Sequence, residues 1–124
     1  MLLPEVLSIR TQKTELTQVI LSLYIPKQLE YFDGHFPNQP ILPGVVQVHW
    51  AIHFAREELG VTGQVLRLEK IKFHSVILPD SHLALSLQWN EEKLYLDSLY
   101  TTNQKKYSAG RIVYNNELAE ANEF

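Results

Sequence analysis

A chain of 124 residues, 45% hydrophobic and 20% charged, can bury the core of a single domain spanning 1–124 without disulfides or metal clamps, which excludes wholesale disorder. With no cysteine, disulfide scaffolds, thiolate nucleophiles and Cys-based zinc sites are excluded, a composition that fits a cytoplasmic protein. A net charge of −3, no apolar run near the ~18 residues of a membrane span, and a start (Met1-Leu2-Leu3-Pro4-Glu5) unlike a secretion signal make nucleic acid and membrane unexpected partners.

In chain order, Glu5–Arg10 and Thr17–Ile25 read as strands, the second placing Val19, Leu21, Leu23 and Ile25 on one face before Pro26 ends it. Lys27 to Gly44 is too rich in proline (Pro37, Pro40 and Pro43, just after Pro26) for a helix interior or a central strand. It also carries Tyr31, Phe32, Phe36, Ile41 and Leu42, too apolar for disorder, so a packed loop is expected. Val45 to Leu59 runs without a breaker until Gly60, which suits a helix C′ position. Its first three turns are apolar almost all round, the pattern of a buried helix.

Gln64–Phe73, Ser81–Trp89, Lys93–Thr102 and Lys106–Tyr114 then read as strands, and the short connections between them favour antiparallel hairpins. One buried helix and about six strands satisfy each other in an α+β layout, a single antiparallel sheet wrapped around a long central helix. That is the hot-dog arrangement. Between Val65 and Asn115 the basic residues (Arg67, Lys70, Lys72, Lys93, Lys105, Lys106, Arg111) outnumber the acidic ones. They are read either as ordinary solvated strand faces or as a surface that greets an acidic partner.

The run Gly34-His35-Phe36-Pro37-Asn38-Gln39-Pro40-Ile41-Leu42-Pro43-Gly44-Val45-Val46 resembles the active-site loop of the bacterial 3-hydroxyacyl-carrier-protein dehydratases. Lys72-Phe73 with Leu78-Pro79-Asp80, and Ser108-Ala109-Gly110-Arg111-Ile112-Val113, are similar to later strands of that family. Two departures stand out. Asn38 replaces a loop glycine, which Asn tolerates because it also visits left-handed backbone angles. His49 occupies the helix position where the family keeps a catalytic Asp or Glu. The stretch Val46-Gln47-Val48-His49-Trp50-Ala51 resembles a divergent branch, the small dehydratases that accompany aryl-polyene synthesis.

The resemblance implies removal of water from a 3-hydroxyacyl thioester, on acyl carrier protein or coenzyme A, to give a trans-2-enoyl thioester. No cofactor is called for, since only protons and water move. His35 is the implied base, because an imidazole titrates near neutrality. The Gly44 N–H, at a helix start where donors are unpaired and the dipole favours negative charge, is the implied oxyanion donor. His49 is a polar partner to the substrate hydroxyl, able to deliver a proton only as imidazolium, and burial would work against that charge. In the family the site forms across a dimer interface, so a homodimer, or a mixed dimer with a related hot-dog subunit bearing the acid, is implied.

Phe36, Pro43, Val48 and His53 are expected to line the substrate site. Tyr31 and Phe32 either bound its entrance or pack structurally, and Trp50 and Phe54 read as core. Asp33 reads as a turn former before Gly34. His49 and His53 share a helix face at ligand spacing and His35 could add a third nitrogen, but without carboxylate or Cys support no metal is expected. His74 and His82 read as solvent-facing or structural. Two other readings stay open. A hot-dog thioesterase would release free thiol, and a non-catalytic subunit would bind acyl groups or support a catalytic sister.

Overall fold

The structure, a computed structural model, describes residues 2–13, 17–33 and 39–115. Its elements are β1 (Glu5–Lys13), β2 (Thr17–Ile25), a 3-10 turn (Glu30–Phe32), α1 (Gly44–Leu59), β3 (Val65–Phe73), β4 (Ser81–Asn90), β5 (Tyr95–Thr101) and β6 (Lys106–Tyr114). The strands form one antiparallel sheet in the order β1-β2-β4-β5-β6-β3. No helix of the described residues is long and apolar enough to cross a membrane.

Period-two alternation builds the core face of the sheet. Val19, Leu21, Leu23 and Ile25 of β2 are fully buried, and the register sets Val19 against Leu87, Leu21 against Leu85 and Leu23 against Leu83 of β4. Leu96 and Tyr100 of β5 and Ile112 and Tyr114 of β6 extend that face. Onto it α1 lays one stripe, Val46, Gln47, Trp50, Ala51, Phe54 and Ala55. Gly60 ends the helix at φ 70°, with Gly60 N–H donating to the Arg56 carbonyl and Val61 N–H to that of Ala55. This is the paired bonding that closes a helix on a left-handed residue, and the buried Val61 completes it with an apolar contact.

Two expectations are corrected. The helix is not buried all round: Val45 is 64% exposed, His49 is exposed, and Val48, Ile52 and His53 are only half-buried. One sheet covers one stripe, and the opposite flank of α1 has no cover among the described residues. Nor do β3 and β4 form a hairpin. β3 pairs with β6, because residues 74–80 carry the chain across the end of the sheet to place β4 beside β2. His74 and Ser75 N–H both donate to the Tyr107 carbonyl, Leu42 N–H to that of Ile77, and Asp80 N–H to that of Ile25, so the crossover is tied at several points.

β3 is therefore an edge strand. Val65, Leu66, Leu68 and Phe73 are all exposed, and a bulge between Glu69 and Lys72 places Lys70 at φ 55°. A bulged, lysine-bearing edge limits indiscriminate strand pairing.

Candidate active site

The site is built on the start of α1. Pro43, with φ −60° and ψ 145°, is the N-cap; its carbonyl accepts from Val46 N–H (3.1 Å) and Gln47 N–H (3.3 Å). The two donors before these, Gly44 N–H and Val45 N–H, have no acceptor among the described residues. Unpaired donors at the positive end of a helix dipole hold a developing anion without further reorganisation. Gly44 is needed there for space and not for backbone freedom, since its φ is not among the positive ones. A Cβ on it would lie 2.5 Å from Cζ of Phe73. The Phe73 ring thus roofs the helix start.

From Gly44 an apolar groove of about 470 Å³ runs between α1 and β3. The helix contributes Val45, Val48, His49 and Ile52, and the strand Val65, Leu68, Ile71 and Phe73. His49, exposed at its rim, is the polar side chain of this wall. The burial expected of His49 is not found, because it lies on the exposed flank of α1. His53, one turn on, is half-buried with its ring edge-on to Phe54 (centroids 5.0 Å). No group of three metal-ligating side chains occurs among the described residues.

Behind the groove lies a buried polar cluster. Ser108 Oγ donates to Gln47 Oε1 (2.6 Å), Gln47 Nε2 to the Leu42 carbonyl (3.4 Å), and the Tyr100 hydroxyl to the Gln47 carbonyl (2.7 Å). All three side chains are at least 95% buried, and burial drives the Tyr100 hydroxyl far above the ordinary phenol range. A polar Gln on the buried stripe, between Val46 and Trp50, was the one signal in the sequence that could have disclosed the cluster. Phe73, read only as part of a strand, gave no sign of its place over Gly44.

The remaining candidates divide as follows. Gly44, Val48 and His49 line the groove, Pro43 precedes them as the helix N-cap, and His53 is not among the lining residues. Phe32 belongs to the core, and Tyr31, half-buried, packs edge-on against Trp50 (centroids 6.3 Å). Trp50 and Phe54 are core, and Trp50 Nε1 donates to the Leu2 carbonyl (3.0 Å). Asp33 closes the 3-10 turn, its N–H donating to the Glu30 carbonyl. His74 and His82 are exposed, the latter beside the Tyr24 ring. His35 and Phe36 lie outside the described residues.

Comparison with known proteins places this geometry. Residues 10–111 match the ApeI-like family model, described as ApeI dehydratase. A crystal structure of an uncharacterised protein from Erwinia carotovora subsp. atroseptica superposes with a TM-score of 0.84 at 36% identity, covering 94% of this chain and 98% of that one. The dehydratase heterocomplex ApeI:P from Xenorhabdus doucetiae superposes with a TM-score of 0.83 at 32% identity, covering 91% and 98%. Among sequences, the FabZ 3-hydroxyacyl-[acyl-carrier-protein] dehydratase of Caldicellulosiruptor saccharolyticus is 30% identical over 95 residues, 71% of this chain and 66% of that protein. Other FabZ relatives are matched over about half their length. The fold is hot-dog, and the chain belongs to the ApeI-like dehydratase family.

Proposed function

We propose that this protein is a dehydratase subunit that removes water from 3-hydroxyacyl thioesters, carried on acyl carrier protein, to give trans-2-enoyl thioesters. The observation that carries the reading is the pair of N–H groups at Gly44 and Val45, without an acceptor among the described residues, on two residues that line the apolar groove. In the reaction the thioester oxygen lies against the Gly44 N–H. His35 takes the C2 proton, the C2–C3 double bond forms, and the C3 hydroxyl departs as water once protonated. His49 faces the hydroxyl from the groove rim, while Pro43, Val48, His53 and Phe36 bound the acyl chain.

The flank of α1 bearing Val45, Val48 and Ile52, beside the edge strand β3, supports a dimer, since an apolar face this continuous is the mark of an association surface. A mixed dimer is favoured over self-pairing by His49 in place of a carboxylate, with a heterocomplex among the family's structures. The sister subunit then supplies the acid. Exposed Lys72, His74, Lys105 and Lys106, near the shared end of β3 and β6, suit an acidic carrier protein.

The test is product identity. Purified protein, alone and mixed with an acid-bearing hot-dog subunit, is given a 3-hydroxyacyl thioester at pH 6 and pH 8. Absorbance of the conjugated enoyl thioester supports dehydration. Release of free thiol with no enoyl product supports hydrolysis instead. If the protein is inert alone and active in the mixture, the partner-dependent reading holds.

A further inference from the structure

We infer that Gln47 is a positioning residue that holds the oxyanion donor in place by clamping the peptide that precedes it. The inference rests on the dehydratase reading for its catalytic consequence, but the clamp itself is visible in the contacts. Leu42 is tied on both sides. Its N–H donates to the Ile77 carbonyl (2.8 Å), and its carbonyl accepts from Gln47 Nε2. Pro43 follows with fixed φ, and Gly44 comes next, so the direction of the Gly44 N–H is inherited from the Leu42 peptide.

The chemistry fixes which way the Gln47 amide faces. The Leu42 carbonyl can only accept, so the NH₂ end must point to it, which leaves Oε1 for the Ser108 hydroxyl. The Tyr100 hydroxyl pins the main chain of the same residue from β5. Gln47 therefore ties α1, the loop before it, β5 and β6 together at one point. A core-facing Leu or Met would pack as well on this stripe without holding Leu42. A buried amide is costly unless both its ends are paired, and Gln47 meets that condition through Leu42 on one side and Ser108 on the other. Gln47 is not among the residues lining the groove with Gly44 and His49, although with Val48, Ile71 and Phe73 it lines a small recess beside it, so the role assigned to it is exerted through Gly44.

The experiment uses Gln47→Met, Ser108→Ala and the double variant, each compared with wild type in two readouts. Backbone hydrogen exchange over residues 42–46 reports the clamp whether or not the protein turns over. Steady-state kinetics on a 3-hydroxyacyl thioester, in whichever assembly is active, reports its consequence. Gln47→Met is expected to speed exchange at Leu42 while β2 and β4 stay protected. It should lower kcat by about tenfold to a hundredfold at nearly constant KM, the scale expected for a misplaced catalytic donor. Ser108→Ala should do the same more weakly, and the double variant should be no worse than Gln47→Met. Unchanged exchange at residues 42–46 overturns the clamp. Faster exchange with unchanged kcat overturns the positioning role. A wild-type protein without turnover in any assembly overturns the dehydratase reading, and the exchange result still decides the clamp.

Discussion

Replacing Gly44 by Ala separates the fold from the chemistry more cleanly than any other single change. The new methyl carbon would lie 2.5, 2.8 and 3.0 Å from Cζ, Cε1 and Cε2 of Phe73. Something must move, and the ring can, because Phe73 is 53% exposed on an edge strand. The backbone at Gly44 is ordinary helix, so Ala gains about 1 kcal/mol of helix propensity there at most. That gain offsets part of the contact energy lost as the ring swings out, about 0.5–1.5 kcal/mol for an off-rotamer side chain. Net stability should shift by no more than about 1 kcal/mol, a few degrees in Tm for a domain of this size. Activity should fall much further, because the methyl and the displaced ring both enter the groove beside the oxyanion donor. A loss of about 10²-fold in kcat/KM corresponds to about 2.7 kcal/mol. Thermal melting and steady-state turnover of a 3-hydroxyacyl thioester are the paired assays, with Gly44→Ala/Phe73→Ala as the relief variant. Full activity in Gly44→Ala would refute the placement of the thioester at Gly44. A collapsed fold that Phe73→Ala does not rescue would refute the packing argument.

Other expectations are independent of this one. Tyr114→Phe should raise stability by about 1–3 kcal/mol, since the Tyr114 hydroxyl is buried with no hydrogen-bond partner among the described residues; thermal or urea melts read it. Burial pushes that hydroxyl up to about 12, above an unfolded value near 10, so below pH 10 it is neutral in both states and its ionisation costs no stability. As pH rises from 10 to about 12 the unfolded chain ionises first and stability falls, and a melt series over that range should show wild type losing stability faster than Tyr114→Phe. Gly60→Ala meets no atom within 4 Å yet should cost about 1–2 kcal/mol, because φ there is 70°. Val45→Asp should abolish association with a second subunit, seen by sedimentation, while leaving the monomer as stable or about 0.3–1 kcal/mol more so, since a carboxylate suits a helix N-terminus.

Much of the fold was legible because it rests on local rules. The alternation of Val19, Leu21, Leu23 and Ile25 marked the core face of β2, and Pro43 and Gly60 bracketed α1. Strand order was not legible, because the pairing of β3 with β6 is decided by the crossover at 74–80 and not by any pattern within β3. The helix misled for a related reason. Val45, Val48 and Ile52 are as apolar as the buried stripe, and hydrophobicity alone does not say whether the chain's own sheet or another subunit covers them. Of the candidate site, Gly44 and His49 were named from the resemblance of the loop and helix start to the dehydratase family. Gln47, Ser108 and Tyr100 come from three separate elements, so only the folded chain brings them together.

The decisive measurement follows enoyl thioester absorbance with wild-type protein and His35→Ala, each alone and in equimolar mixture with a hot-dog subunit that carries a carboxylate at the position of His49. Enoyl product is expected from the wild-type mixture and its loss in the His35→Ala mixture, both mixtures retaining the dimer. Wild-type rates from His35→Ala, or thioester consumed without any enoyl product, would contradict the dehydratase reading.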